Sequence, residues 1–388
     1  MNIDEVLTRG VTNIIPNKQK LEELLKSDKK LNIYFGADPT ATHLHIGNAV
    51  GLRKLQQFVE LGHNVKFLIG DFTALIGDTS DKDTERPVLT YEQIQQNFKD
   101  YKRQAEKILD FSKVNVVFNS EWLKKLSFED IIKLCQHFSF GEFASRELVA
   151  KRLKEGKKVG LHEALYPVMQ GYDSWHLNTD IQLGGADQTF NMQAGRILQR
   201  DLREKESFIL VTGYLEGTDG RKMSKSWGNA IWIDDNPYEM YGKVMSVRDD
   251  LIVTYLTLAT NLADEKIEEK KKRLADNENP SVIKKELAFQ IVKELHSEKD
   301  AKEAQEKFEK TFQKKEPDYG TPLPNQGTVI QTIAPFTSLS SMSEAKRMIN
   351  AGAIEINGEV VNNGNYETKI GDKIKIGKKV FGTVVDKI

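Results

Sequence analysis

The sequence predicts a chain of the α/β class, with a parallel-sheet unit that carries a helical insertion, then an α-helical unit and a small α+β unit. Three observations carry this. Short apolar runs alternate with longer mixed segments over residues 1–233, one interval between runs is far too long for a single crossover, and the composition changes after 233 and again across a proline-bearing stretch. The 388 residues exceed a usual single domain, and 39% hydrophobic content is enough to bury at least one large core.

The first unit is marked by five runs, "LNIYFGA" (31–37), "VKFLIGD" (65–71), "VNVVF" (114–118), "DIQLGG" (180–185) and "SFILVTG" (207–213). Runs joined by mixed segments read as strands of a parallel, Rossmann-like, nucleotide-binding sheet. Between the third and fourth runs stands "FEDIIKLCQHFSFGEFASRELVAKRLKEGKK", read as a helical insertion over about 119–164. Residues 234–316, with "PSVIKKELAFQIVKELHSEKDAKEAQEKFEKTF", read as helices. The segment "KKEPDYGTPLPNQGT" has three prolines, cannot continue a helix, and is expected to be a linker over 317–328. A Gly-rich, β-patterned tail over 329–388 forms the third unit.

Bulk properties say less. Lys+Arg 56 against Asp+Glu 57 leaves a net charge of −1, which excludes a globally basic chain but permits a local basic surface. Cys135 is the one cysteine, so there is no intramolecular disulfide framework and no multi-cysteine zinc site; this fits a reducing, cytoplasmic compartment. The start, "MNIDEVLTRGV", lacks the basic and apolar regions of a signal peptide, and no stretch approaches the ~18 apolar residues of a membrane span.

Chemistry begins at "YFGADPTATHLHIGNAVGLRKLQQF", a strand, a loop and a helix whose Leu52, Leu55 and Val59 fall at helical spacing. His45 to Asn48 therefore sit at the helix N-terminus, where unpaired N–H groups and the helix dipole favour an anion, and Gly47 allows close approach. A nucleotide phosphate suits this position. The alternatives are a polar helix cap and a metal ligand; no third histidine, cysteine or carboxylate clusters with His43 and His45, so no metal site is expected. Directly after the fifth run, "LEGTDGRKMSKSWGN" carries Lys222 and Lys225 among serines and glycines, which alone would suit a solvated loop.

Together "HIGN" and "KMSKS" resemble the two signature motifs of class I aminoacyl-tRNA synthetases, in the right order. The resemblance implies that His45 is a hydrogen-bond donor to ATP phosphate and that Lys222 and Lys225 neutralise departing pyrophosphate. Asn48 stands where a second histidine is common, and its amide can still donate. In "LYPVMQGYDSWHL", Tyr166, Gln170 and Asp173 fall at i, i+4 and i+7 on one face among apolar neighbours, which suits a pocket wall or a partly exposed amphipathic helix. In "QLGGADQTFNMQAG", Gly184 and Gly185 end a strand, and Asp187, Gln188 and Asn191 open the next helix at the carboxyl edge of the sheet.

With "IYFGADPT", these stretches resemble the tyrosyl-tRNA synthetases, the tryptophanyl ones being the nearest competitor. That likeness implies Tyr34 and Asp173 on the phenol hydroxyl of L-tyrosine, Asp78, Tyr166 and Gln170 on its ammonium, and Gln188 nearby. It implies Gly36 and Asp38 at the nucleoside end of ATP, Asp187 on its ribose and Thr40 on its phosphates, with Gly47 and Gly185 also at the ATP site. Phe35 departs from the small or polar residue of some relatives. Lys82 and Arg86, in "LIGDTSDKDTERP", resemble mobile-loop cations that bind pyrophosphate, although a solvated loop is the alternative. Mg²⁺ would accompany ATP, with no dedicated protein metal site.

The tail "SEAKRMINAGAIEINGE" resembles an S4-type RNA-binding module. There Lys346, Arg347, Lys373, Lys375, Lys378 and Lys379 could meet phosphates over a small core of Met348, Ile349, Ile354 and Ile356. By position, 234–316 resembles the family's anticodon-reading domain. The resemblance as a whole implies a ligase for tyrosine and tRNA(Tyr), dimeric through the inserted helical layer. A non-charging RNA-binding paralogue is the alternative from another class.

Overall fold

The computed structural model describes residues 2–39, 42–77, 90–224, 227–312, 319–337, 340–377 and 380–386. The chain divides into two compact units, one of residues 1–223, 229–235 and 247–283, the other of 224–228, 236–246 and 284–388.

The first unit is built on a six-stranded sheet: β1 Val11–Ile15, β2 Asn32–Ala37, β3 Asn64–Ile69, β4 Asn115–Phe118, β5 Ile181–Gly185 and β6 Phe208–Thr212, in the order β1-β6-β5-β2-β3-β4. All five expected runs form strands, and β2 to β6 pair in parallel. β1 adds an antiparallel edge against β6, which the pattern of apolar runs did not announce. It has no buried residue, so only its β-branched "VTNII" signals a strand. From β2 the chain winds outward through β3 and β4, then returns to β5 on the other side of β2. The order thus reverses between β2 and β5, and ligands of such sheets bind outside the carboxyl ends of the strands at that reversal.

Between β4 and β5 lie four short helices, Ser120–Leu123, Phe128–Cys135, Phe140–Ala144 and Glu147–Lys154, as the helical insertion requires, followed by the longer helix Leu161–His176. That helix packs on Thr189–Arg203 so closely that a Cβ at Gly171 would lie 3.1 Å from the Ala194 carbonyl carbon. The helix Ile252–Ala259, "IVTYLTLA", is apolar nearly all round and is buried in the first unit, beside Ile46–Glu60. Arg53 Nη1 of the latter helix donates to Asn261 Oδ1 at 2.7 Å. The helical span expected over 234–316 is therefore shared between the two units.

In the second unit, helix Pro237–Met245 packs on Glu298–Phe312, with the rings of Tyr241 and Phe308 5.4 Å apart. The five-stranded sheet comprises β7 Thr321–Pro324, β8 Ile354–Ile356, β9 Glu359–Val360, β10 Lys373–Ile376 and β11 Val380–Val385, ordered β7-β11-β10-β8-β9. Ile349, Ile354 and Ile356 are in its core, and Met348 packs against it. The expected linker over 317–328 needs correction, because β7 lies within it. Leu323 is fully buried and β7 pairs in parallel with β11. Prolines are tolerated there because β7 is an edge strand.

Candidate active site

Residues at the carboxyl ends of β2, β3 and β4 converge with the helix Leu161–His176. Tyr166 Oη donates to Asp38 Oδ2 at 2.9 Å, and Thr73 Oγ1 donates to Asp38 Oδ1 at 2.9 Å. Asn119 Nδ2 reaches Thr73 Oγ1 at 3.0 Å and Asp173 Oδ2 at 3.1 Å, and Trp122 Nε1 donates to Asp173 Oδ1 at 2.7 Å. One continuous network thus runs from Tyr166 to Trp122. A Cβ at Gly70 would fall onto Asp38 Oδ1 and Thr73 Oγ1, so only glycine leaves the network room.

Asp173 is 1% exposed and Tyr34 3%. Burial, which disfavours the carboxylate, pushes the Asp173 carboxyl up to about 7, against the lowering pull of the Trp122 and Asn119 hydrogen bonds. Burial and the nearby Asp173 charge raise the Tyr34 phenol far above its ordinary range, so it is a neutral donor. Its Oη donates to Gln182 Oε1 at 3.1 Å, and Gln182 Nε2 in turn donates to the Met192 carbonyl at 2.9 Å. Trp122, Leu68, Leu123 and Leu177 pack around Tyr34. Tyr166 is buried and Gln170 half-buried, which removes the reading of an ordinary solvent-facing stripe.

The start of this helix is locked as well. Glu163 receives a two-pronged bond from Arg152, at 2.7 and 3.0 Å, and accepts from the Gly160 N–H at 2.7 Å; both charged groups are buried. A buried pair is costly to form but costlier to break, because the remaining charge is stranded.

On the other side of β2, His45 caps the helix Ile46–Glu60. Asn48 N–H donates to His45 Nδ1 at 3.3 Å, and His45 N–H donates back to Asn48 Oδ1 at 3.1 Å. Both readings of this motif, the cap and the anion contact, are compatible. Nδ1 accepts, so the proton of the neutral ring sits on Nε2 and can be offered to a ligand. Burial, with Lys222 beside it, lowers the imidazole to about 4, so the ring is neutral at physiological pH. Gly47 has a specific duty, since a Cβ there would meet His45 Nδ1 at 2.9 Å. The 231–233 strip runs alongside: Ile46 N–H donates to Ile231 O at 2.9 Å, and the Trp232 ring lies 5.9 Å from that of His45. His43 instead pairs with Asp234 at 2.9 Å.

The loop that bears Lys222 is braced by Asn229, whose Nδ2 donates to Asp219 Oδ1 at 2.8 Å and to the Lys222 carbonyl at 3.1 Å. Lys222 itself is exposed. Gln188 Nε2 donates to Asp187 Oδ2 at 3.2 Å, and a Cβ at Gly185 would lie 2.6 Å from Asp187 Oδ1. Gly36 is exposed at the end of β2, and Phe35 packs on Phe67 with centroids 6.1 Å apart. Asp38, expected on the nucleoside side, is held by Tyr166 and Thr73. Thr40, Asp78, Lys82, Arg86 and Lys225 lie outside the described residues, as do Lys378 and Lys379.

Sequence reasoning missed Thr73, Asn119, Trp122 and Gln182. Gln182 carried a signal, as one polar side chain inside the apolar run "IQLGG" needs a buried partner. Asn119 directly follows a strand run and Thr73 stands two residues beyond another, the region in which parallel sheets place ligand groups.

In the small sheet, Lys373 and Lys375 share one face of β10 while Ile374 and Ile376 face the core. Lys346 is exposed. The expected row of cations is partly neutralised, however: Arg347 makes a two-pronged bond to Glu344, at 2.6 and 2.8 Å, and Lys375 pairs with Glu355. Lys373 lies 5.6 Å from the Tyr319 ring centroid.

Residues 26–313 match the model for class I tRNA synthetases of the tryptophanyl and tyrosyl kind, and 338–374 match the S4 domain. The chain belongs to that synthetase family. It is 43% identical to the tyrosine–tRNA ligase of Carboxydothermus hydrogenoformans, over 98% of this chain and 97% of that one. It is 40% identical to that of Thermotoga maritima, over 97% and 96%. Solved structures with the same fold include a C-terminally truncated mitochondrial tyrosyl-tRNA synthetase of Aspergillus nidulans, with TM-score 0.65, 22% identity and coverage of 78% of this chain and 92% of that one. The tyrosyl-tRNA synthetase of Archaeoglobus fulgidus, solved with L-tyrosine, gives a TM-score of 0.62 at 22% identity, covering 78% and 98%. The chain is accordingly an ATP-dependent aminoacyl-tRNA ligase with an S4 domain. Among the described residues, no helix is long and apolar enough to cross a membrane.

Proposed function

We propose that this chain is a tyrosine–tRNA ligase. The carboxylate of L-tyrosine attacks the α-phosphate of MgATP and expels pyrophosphate; a terminal ribose hydroxyl of tRNA(Tyr) then attacks the carbonyl of tyrosyl-adenylate. The observation that carries the reading is the buried Tyr34 and Asp173 pair, with both carboxylate oxygens of Asp173 held from behind by Trp122 and Asn119. Such a pair reads a hydroxyl at the end of an apolar slot. A ring that lacks the hydroxyl leaves these groups unpaired, which costs about 1–3 kcal/mol or more. Gln170 and Tyr166, one and two turns earlier, suit the ammonium, with Asp78.

No protein nucleophile is needed, so catalysis is positioning plus stabilisation of charge on the moving phosphates. His45 Nε2–H, Asn48, Thr40, Lys82, Arg86, Lys222 and Lys225 supply the donors and cations. Gly36, Asp38, Gly47, Gly185 and Asp187 flank the nucleotide, Asp38 being held by Tyr166 and Thr73. Lys346, Arg347, Lys373 and Lys375 serve tRNA, trading the weak surface pairs of Arg347 and Lys375 for phosphates. The enzyme acts in the cytoplasm as a homodimer. Support for the dimer is the apolar exposure of the insertion and the helix that follows, Phe128 78%, Phe140 64% and Leu161 76%. ATP–pyrophosphate exchange run with tyrosine, tryptophan and phenylalanine tests the reading: exchange with tyrosine alone is expected, and exchange with tryptophan, or with none, overturns it.

A further inference from the structure

Trp122, which holds Asp173, also lines a cleft of about 530 Å³ in the first unit. Its floor is a run of aromatic rings. Trp122 stacks on His176, with centroids 4.5 Å apart and planes 21° from parallel; Tyr172 lies 6.2 Å from His176 and 5.2 Å from Trp175. Tyr172, Trp175 and His176 belong to the helix that carries Tyr166, Gln170 and Asp173, and Leu126, Leu134 and Leu202 complete the apolar lining.

Two features separate this cleft from a gap in packing. The Trp175 indole N–H is buried and has no hydrogen-bond partner among the described residues, a donor that folding ordinarily satisfies. The cleft is also lined by charges of both signs, Glu121 and Asp130 against Lys125 and Lys133. Aromatic walls with acidic and basic groups together match a planar ring that carries an ammonium and a carboxylate.

We propose that this cleft is a second binding site for a free aromatic α-amino acid, and that its occupant acts on tyrosine binding through Trp122. The ring lies among Trp122, Tyr172 and Trp175, the ammonium faces Asp130 and Glu121, and the carboxylate faces Lys125 and Lys133. Trp122 is the shared wall. The edge of its indole holds Asp173 Oδ1 at 2.7 Å, and the same residue, stacked on His176, is part of the cleft lining. An occupant that fixes or tilts that ring changes how Asp173 is presented, and by linkage tyrosine changes the occupant's affinity by the same factor. The effect on tyrosine rests on the proposed function; the existence of the site does not.

Equilibrium dialysis of the full-length protein with labelled L-tryptophan tests the site directly, with and without saturating tyrosine and ATP. One L-tryptophan per chain is expected to stay bound when the catalytic slot is full. Leu202→Arg, a change at a 43%-exposed position on the lining, should weaken that binding at least tenfold and leave the melting temperature in place. Tryptamine and indole-3-propionate, each lacking one charge, should bind at least tenfold more weakly than L-tryptophan. Parallel dialysis with L-phenylalanine and L-tyrosine ranks the natural sources; a second equivalent of tyrosine per chain marks self-regulation, and only where tyrosine binds once per chain does its full displacement of tryptophan count against the site. In exchange assays, L-tryptophan should shift the tyrosine KM at least threefold in the parent and leave it unmoved in Leu202→Arg. Absence of binding, full displacement by tyrosine, or equal binding by Leu202→Arg overturns the site. An unmoved tyrosine KM despite binding overturns the coupling through Trp122. A failure of tyrosine exchange itself would instead strike the proposed function, while dialysis still decides the site.

Discussion

The network around Asp173 and the helix cap at His45 stand on either side of β2 and are built by opposite means. At Asp173 every group is inside: both carboxylate oxygens are already bonded, the neighbours are apolar, and no solvent dilutes the interaction. At the cap, His45 is half-buried while Asn48 and Lys222 are exposed, and one bonded nitrogen of His45 serves to orient the other. Under the proposed function the first arrangement is suited to discriminate, because an unpaired buried group is costly, and the second to accommodate charge that moves during reaction. Selectivity is thus assembled before any substrate arrives, whereas stabilisation of the phosphates waits for the ligand.

The contrast breaks most sharply at the cap. His45→Ala should slow single-turnover adenylate formation by roughly 100- to 1,000-fold, the loss of about 3–4 kcal/mol typical of a transition-state donor. Tyrosine Kd should hardly move, and Lys225→Ala should behave alike. A proportionate rise in tyrosine Kd would erase the distinction between the two ends. Next in size, Asp173→Ala removes a charged hydrogen-bond partner at the buried end and strands Trp122 and Asn119. A loss of tyrosine kcat/KM of roughly 100-fold is expected, with a narrower preference over phenylalanine. An unchanged tyrosine-to-phenylalanine ratio would show that the hydroxyl is read elsewhere.

A third prediction concerns the second unit. Every residue assigned to ATP or tyrosine precedes β7, so a chain ended at 316 should exchange pyrophosphate within about twofold of the parent and charge tRNA at least tenfold more slowly. The salt dependence of its tRNA affinity should flatten by about 0.9 in log–log slope for each RNA phosphate that the tail no longer neutralises. Parallel loss of exchange and charging would make the tail a brace for catalysis. Ending the chain near 327 is a poorer test, since β7 would lose its partner and expose Leu323.

The smallest effect is in pH. Burial lifts the Asp173 carboxyl from 3.8 to about 7, so the native chain keeps a proton that the unfolded chain has released over that interval. Stability should therefore fall as pH rises from about 4 to about 7, a trend that Asp173→Asn should remove from melting curves. If the ionised carboxylate is the better acceptor for the phenol, tyrosine KM should drop severalfold between pH 6 and 8. A flat profile would mean that the neutral acid reads the hydroxyl equally well.

Much of this was legible in the sequence. Apolar runs announced five strands because buried parallel strands need few polar residues, and the i, i+4, i+7 stripe of Tyr166, Gln170 and Asp173 put two of the three deep in the fold. What escaped has a physical reason too. Thr73 follows β3 whereas Asn119 and Trp122 stand at the short helix after β4, and only the winding of the sheet brings them together. β1 has no fully buried residue, so its apolar signature is weak, and β7 hid behind prolines that ordinarily forbid strands. Arg347 and Lys375 looked available because their partners, Glu344 and Glu355, are reached only through helical spacing and strand pairing.

Those prolines have a consequence for the protein at high concentration. Asn325 N–H donates to the Val385 carbonyl at 2.9 Å, so alternate residues of this strand point their amides toward β11. Pro322 and Pro324, in the intervening register, fall where the amides would point away from the sheet, and they have none to present. The outer edge of β7 is therefore a poor template for a strand from another molecule, and the small domain can crowd against its own kind without recruiting it into a growing sheet.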